Sequence, residues 1–384
     1  MYANPITGAE RVFMRGDLSE GKMKAGGRKN NKLSIVAVDL FCGVGGLTHG
    51  LIKSGIQVRA GVDLDESCKY AFEINNKAKF IHKNIKEFGR NELKRLYRKR
   101  DIKVLVGCAP CQPFSKHTQK ERDREAKEDW GLLYYFFKII KKVKPEVVSM
   151  ENVPQIVKHK VFSDFVEGLK SENYHVNWRK VYCPDYGIPQ KRARLVLLAS
   201  KLGEVNLIGP THNPKNYKTV KMAIGHLEPI KAGSSSKKDR LHKSAALSEI
   251  NLERIKNSVP GGSWRDWNDS LRADCHRKES GYTYSSVYAR MKWDKPAPTI
   301  TTQFFSFGTG RFGHPEQDRA ISIREGAILQ TFPRKYKFIP SASPVELIRL
   351  GRCIGNAVPV RLGEIIGKSI IKHCEEYYEW SVRA

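Results

Sequence analysis

No stretch of this 384-residue chain approaches the eighteen consecutive apolar residues of a membrane span, and no apolar h-region follows Met1. The eight cysteines lack the spacing of a disulfide framework. Acidic residues are few beside basic ones, 40 Asp and Glu against 68 Lys and Arg. The first two absences exclude a membrane-embedded or disulfide-stapled secreted protein and lead us to expect a soluble, reduced, cytoplasmic one. The third leaves a formal net charge of +28. Acidic small molecules do not require such an excess, whereas a polyanion such as nucleic acid is drawn to it from a distance. Charge alone is also compatible with a basic surface that serves only solubility. Cys108 and Cys111 form one CxxC pair, and no second CxxC or CxxH completes four ligands, so no metal is expected. No internal repeat is present.

From Ser34 the apolar pattern alternates strand and helix: Ile35 to Leu40, a glycine turn, a helical stretch after Leu47, then Val58 to Val62. This βαβ opening predicts an α/β fold. A charged helix is expected around Asn91 to Arg100 and another from about Leu132 to Val143, with Leu133, Phe136, Phe137 and Ile140 on one face. After Leu195 to Leu198 the texture becomes polar and rich in Gly, Lys, Ser and Trp, as in a second, irregular domain. We therefore expect a flexible basic arm at 1–32, a catalytic and cofactor-binding domain at 33–201, a smaller domain at 202–325 and a C-terminal segment at 326–384 that returns to the large domain. Ala232 to Asp239 reads as a linker. Ser343-Pro344-Val345-Glu346 reads as a capping box that opens a helix, Gly355-Asn356 as a turn, and Pro359 as the start of a last helix.

Chemistry concentrates on two loops. The strand Val104 to Val106 ends at Gly107 and delivers Cys111 on a loop bracketed by Pro110 and Pro113; the run Glu146 to Met150 does the same for Glu151. A thiol suits attack on a soft, electron-poor carbon, given a nearby cation or helix N-terminus to favour the thiolate. Cys108 continues the apolar strand and reads as a structural thiol. The first strand ends in Asp39-Leu40-Phe41-Cys42-Gly43-Val44-Gly45-Gly46, a turn whose backbone can approach a ligand closely. Asp63 follows at the end of the next strand, where ribose hydroxyls are gripped. The nicotinamide fingerprint GxGxxG is missing; Phe41-x-Gly43-x-Gly45 stands in its place.

These blocks, with Gln190-Lys191-Arg192-Ala193-Arg194 and Gly355-Asn356-Ala357-Val358, occur in an order and spacing that resembles the C5-cytosine-specific DNA methyltransferases of the bacterial restriction-modification type. The resemblance spans about Ser34 to Lys372. It implies a Rossmann-like fold that binds S-adenosylmethionine, with a small target-recognition domain. Phe41, Gly43, Gly45, Gly46, Asp63, Leu64, Asn84, Pro110, Asn356 and Val358 would surround the cofactor. Cys111 would be the nucleophile, Glu151 would bind the cytosine N3 and N4 edge, and Arg194 would hold O2. Gln112, Ser115, Arg192, Arg265 and Arg272 would contact DNA. The chain departs from the family pattern in having Leu64 where an aromatic residue often follows the ribose acid, and Asn84 where an acid usually meets the adenine amino group.

The implied partners are double-stranded DNA and a cognate restriction endonuclease, and a monomer is expected, because one chain carries both the catalytic and the reading domain. Alternatives are a transfer-RNA cytosine methyltransferase or an inactive DNA-binding regulator. The Cys-Phe-Thr element of the RNA-acting relatives is not found, and retention of Cys111, Glu151 and Arg194 together argues against loss of activity.

Overall fold

Runs such as Ile35 to Leu40 are apolar at every position, and a strand can bury every side chain only where both faces of its sheet are covered. The computed structural model describes residues 33–88, 90–110 and 122–383, and bears this out. The first half of the chain runs β1 (Ile35–Leu40), α1 (Gly46–Ser54), β2 (Gln57–Asp63), α2 (Lys69–Asn76), β3 (Lys79–His82), α3 (Arg90–Lys94), β4 (Ile102–Gly107), α4 (Arg122–Val143), β5 (Val147–Asn152), α5 (Lys160–Ser171), β6 (His175–Tyr182) and β7 (Ala193–Ser200). The strands form one sheet in the order β3-β2-β1-β4-β5-β7-β6. Pairing is parallel from β3 to β5, and β7 runs antiparallel to both β5 and β6.

Alternate residues of each central strand enter different cores. Ala37 and Val104 join α1 and the C-terminal helix on one face; Val38, Leu40 and Leu105 join α4 and α5 on the other. The order reverses between β1 and β4, and an open α/β sheet leaves its binding crevice at such a switch point, beyond the carboxyl ends of the strands.

The second half holds short helices α6 (Val220–Ile224), α7 (Glu249–Lys256), α8 (Asp274–Arg277) and α9 (Glu279–Tyr282), then α10 (Ile323–Leu329), α11 (Leu347–Asn356) and α12 (Val360–Arg383). A separate small core gathers Ile255, Trp264, Trp267, Val287, Phe307 and Ala320. Trp264 and Trp267 are buried there, so the Gly261 to Trp267 segment packs a core rather than projecting its rings.

Four expectations need correction. The charged helix stops at Lys94, because Tyr97 turns inward to donate to the Val104 carbonyl (2.8 Å) and Arg98 N donates to Asp101 (2.6 Å), drawing the chain into β4. Ala232 to Asp239 is no linker: Ser236 is buried and Asp239 pairs with Arg324 at 2.5 Å. Ser343 opens no helix, since Ser343 N donates to the Pro340 carbonyl within a turn, and α11 begins only where Leu350 and Ile354 can reach the core. Gly355 and Asn356 are the end of α11 rather than a turn.

α1 packs closely against the start of α12. A methyl group added at Gly50 would stand 2.3 Å from the Val360 carbonyl oxygen, a backbone atom that cannot swing aside. Gly50→Ala is therefore expected to cost about 1–3 kcal/mol through overpacking, measured as a lower urea midpoint. Gly209→Ala, where an added methyl meets nothing within 4 Å, is expected to leave the midpoint essentially unchanged.

Candidate active site

The turn after β1 is built for close approach. Phe41, Gly43 and Gly45 all take positive φ, at 60°, 49° and 87°. At Gly46 a Cβ would stand 2.3 Å from the Val358 carbonyl oxygen, so a bare backbone there lets α1 meet the segment after α11. Gly43 N donates to Asp63 Oδ2 (2.8 Å) and Asp65 N to Asp63 Oδ1 (2.9 Å), which fixes the carboxylate at the end of β2. Burial nonetheless raises its pKa. Leu64 is exposed at the cavity edge. Asn84 lies on the same wall, its Oδ1 accepting from Lys86 N at 3.0 Å.

A second set comes from β4, β5 and β7. Glu151, at the end of β5, is buried, and its Oε2 accepts from Cys108 Sγ at 2.8 Å. Arg194 Nε stands 2.9 Å from Oε1 without hydrogen-bond alignment, so that buried oxygen has a cation beside it and no donor aimed at it. Asn152 Nδ2 donates to the Ala109 carbonyl (3.2 Å), tying the end of β5 to the loop that leads toward Cys111. Cys111, Gln112 and Ser115 themselves lie outside the described residues.

Gln190, Arg192 and Arg194 are spaced by two, and the first two point into the protein. Gln190 Nε2 donates to the Leu329 carbonyl (2.9 Å) and to Gln330 (2.7 Å), while its Oε1 accepts from Ile300 N (3.1 Å). Arg192 is 3% exposed. Its guanidinium donates to the carbonyls of Ile300 (3.1 Å), Gly355 (3.4 Å) and Ala357 (3.5 Å). The expectation of a DNA contact for Arg192 is corrected accordingly: a guanidinium sunk among backbone carbonyls is not presented to a duplex. Its burial pushes the pKa down to about 9.

The two sets face one cavity of about 1050 Å³ at the switch point, lined by Phe41, Gly43, Gly46, Asp63, Leu64, Asn84, Pro110, Glu151, Arg194, Asn356 and Val358 among others. Gly45 stands just behind it as the N-cap of α1. Arg265 and Arg272 are elsewhere, at the small core, with guanidinium carbons 5.6 and 6.0 Å from the Trp264 ring centroid.

Sequence reasoning passed over Asp39, which also lines the cavity. Thr48 Oγ1 donates to its Oδ2 (2.7 Å), and Oδ1 is buried with no partner. The signal available was an acid inside an otherwise apolar strand, a position that needs a reason.

A model of the C-5 cytosine-specific DNA methylase family matches residues 35–372. The chain belongs to that family. It is a DNA cytosine-5-methyltransferase. The type II methylase M.HgiDII of Herpetosiphon aurantiacus is 53% identical to it over 345 residues, covering 89% of this chain and 96% of its own. The type II methyltransferase M.Sau96I of Staphylococcus aureus is 29% identical over 364 residues, 91% of this chain and 78% of its own. Among solved structures, an E. coli prophage protein described as a DNA modification methyltransferase superposes with a TM-score of 0.65 at 22% identity, covering 89% of this chain and all of the other. Spodoptera frugiperda DNMT2, solved as a mutant, gives 0.60 at 17% identity, covering 88% and 99%. At those identities the solved structures report on the fold, which is the Rossmann-like fold of methyltransferases.

Two outcomes are expected of the methylase in the absence of ligand. Burial, partly offset by the Thr48 hydrogen bond, raises the Asp39 pKa from 3.8 to about 7. Between those values the folded state holds a proton that the unfolded state releases, so stability falls as pH rises through this window, by at most ~1.4 kcal/mol per pH unit. Asp39→Asn is expected to flatten that part of the stability profile, checked by urea titrations from pH 4 to about 7. Arg192→Gln is expected to lower stability by about 2–5 kcal/mol, since three buried carbonyls lose a charged donor. A denaturation curve that does not move would remove the clamp from this account.

Proposed function

We propose that this methylase acts on a cytosine extruded from duplex DNA, through covalent addition of Cys111 to C6, with S-adenosylmethionine as the methyl donor. The observation that carries the reading is Glu151: a buried carboxyl with one oxygen free of any donor, flanked by Arg194, on the wall of a cavity large enough for a nucleoside and a cofactor. An oxygen so placed can take a hydrogen bond from a ligand that enters the cavity.

Cytosine C5 is a weak nucleophile. Addition of the Cys111 thiolate to C6 forms a C–S bond and moves the ring's electron pair toward C5, with charge developing at N3. The Glu151 carboxyl hydrogen-bonds the N3 and N4 edge of the ring. Arg194 balances charge at O2. Once C5 carries the methyl group, loss of its proton to solvent restores the double bond as the thiolate leaves. S-adenosylmethionine, when bound, supplies an electrophilic methyl group to C5. The residues present fit that donor. Asp63, fixed by two backbone N–H groups, accepts from ribose hydroxyls; Asp39 offers a partnerless buried oxygen; the Gly43 to Gly46 turn and Val358 bring bare backbone to the same wall. Leu64 and Asn84 would meet the adenine side.

The target carbon cannot be reached inside a stacked duplex, and extrusion costs a few kcal/mol. A chain with net charge +28 offsets this through phosphate contacts, and its binding weakens steeply with salt. Residues 202–325 form the recognition part, supported by their own small core, with Arg265 and Arg272 acting on phosphates and Gln112 and Ser115 on the DNA near the nucleophile. The reading extends to a monomer that acts in the cytoplasm and protects DNA from an endonuclease cutting the same site. Among the described residues no helix is long and apolar enough to cross a membrane.

The test is transfer of labelled methyl from S-adenosylmethionine to mixed-sequence duplex DNA and, in parallel, to total RNA, with base-resolution mapping. Label at cytosine within one short DNA motif is expected; label in RNA alone would overturn the substrate. Cys111→Ser should abolish turnover while duplex binding survives in a gel-shift assay. Asp63→Ala should raise the KM for S-adenosylmethionine at least tenfold and leave the Kd for DNA within about twofold, the loss of paired charge-assisted hydrogen bonds.

A further inference from the structure

Spacing along the chain offers no second cysteine pair for a metal, yet the fold assembles a set of donors that no spacing rule would find. One carboxylate oxygen of Asp65 and the sulfurs of Cys68 and Cys353 all lie within 4.8 Å of one another. All three residues line the active-site cavity.

The convergence has local causes. Asp65 caps a single 3-10 turn over Glu66–Cys68, its Oδ1 accepting from Ser67 N (3.1 Å) and Ser67 Oγ (2.6 Å). Asp65 precedes the turn and Cys68 ends it, and their ligand atoms converge. Cys353 comes from α11, held in place because Gly351 and Gly355 rest on the backbone of Thr302 and Thr301. Two helical glycines with no room for a Cβ fix the depth at which Cys353 is presented.

The donors suit a particular class of ion. Two thiolates and one carboxylate match a borderline-soft divalent cation with tetrahedral preference, leaving a fourth position for water. Two sulfurs each about 2.3 Å from one ion stand roughly 3.8 Å apart, which the observed cluster accommodates. Arg352 now answers the charge of Asp65, Nη2 to Oδ2 at 3.1 Å, from a side chain 58% exposed. A bound cation would take over that role and release Arg352 to solvent.

We propose that Asp65, Cys68 and Cys353 form a binding site for a zinc-class divalent cation on the wall of the active-site cavity, distinct from the groups that act on cytosine. The ion would join the turn after β2 to α11, two walls that otherwise meet through the Arg352–Asp65 pair.

The experiment titrates cobalt(II) into the reduced full-length protein, follows the thiolate-to-cobalt charge-transfer absorption, and then displaces cobalt with zinc. One equivalent with a two-thiolate band is expected. Cys68→Ser and Cys353→Ser should each weaken binding at least tenfold and diminish the band. Asp65→Asn, which keeps the turn cap, should weaken binding and retain the sulfur band. Cys111→Ser and Cys275→Ser should change neither. If the buried Cys68→Ser variant fails to fold, Cys353→Ser and Asp65→Asn, at partly exposed positions, decide the matter. The site is overturned by absence of the band in the wild-type protein, by a band that survives Cys353→Ser undiminished, or by one lost on Cys111→Ser, which would move the ion to the Cys108–Cys111 pair.

Discussion

The buried guanidinium of Arg192 is the interaction on which the geometry of this methylase rests. It enters at the start of β7 and binds carbonyls from residue 300 and from the end of α11, so one side chain joins the sheet, the middle of the chain and the C-terminal segment. Gln190, two residues earlier, does the same with amide groups toward Leu329 and Gln330. Segments distant in sequence are thereby held at the carboxyl ends of the parallel strands. A cation this deep is expensive to bury, and it persists because each donor direction but Nε finds an acceptor.

That clamp explains why one strand entry can serve both structure and chemistry. Side chains at Gln190, Arg192 and Arg194 recur with the strand period of two, and the inward pair anchors the backbone that carries the third. Arg194 is then set beside Glu151 by register, because β7 runs antiparallel to β5 with Asn152 opposite Leu195. The Glu151 carboxyl is held by Cys108 on one oxygen and flanked by the Arg194 cation on the other.

The wall formed by β1, β2 and the segment after α11 obeys a different constraint: absence of side chains. Gly46 and Gly50 let α1 approach the Val358 and Val360 carbonyls, and the same close packing exposes the turn's backbone to the cavity. Asp39 and Asp63 bring acids to this wall, both with pKa values raised by burial. Two poorly solvated carboxyls and a glycine turn favour a ligand that carries positive charge and hydroxyl groups.

Much of this was legible in the chain. Continuous apolar runs determined the central strands, glycines the cofactor-side turn, and the ordered short blocks the family, because each depends on local periodicity or on residue types that few other roles require. Tertiary structure decided what local pattern cannot carry. It turned Arg192 from an expected DNA contact into a carbonyl clamp, buried Trp264 and Trp267, ordered the serine-rich stretch through Asp239 and Arg324, and delayed α11 past its apparent capping box. It also gave Cys108 a carboxyl partner and gathered Asp65, Cys68 and Cys353 at one wall. In most of these the deciding partner lies far along the chain, and which acceptor a buried donor finds is fixed only when the layers close around it.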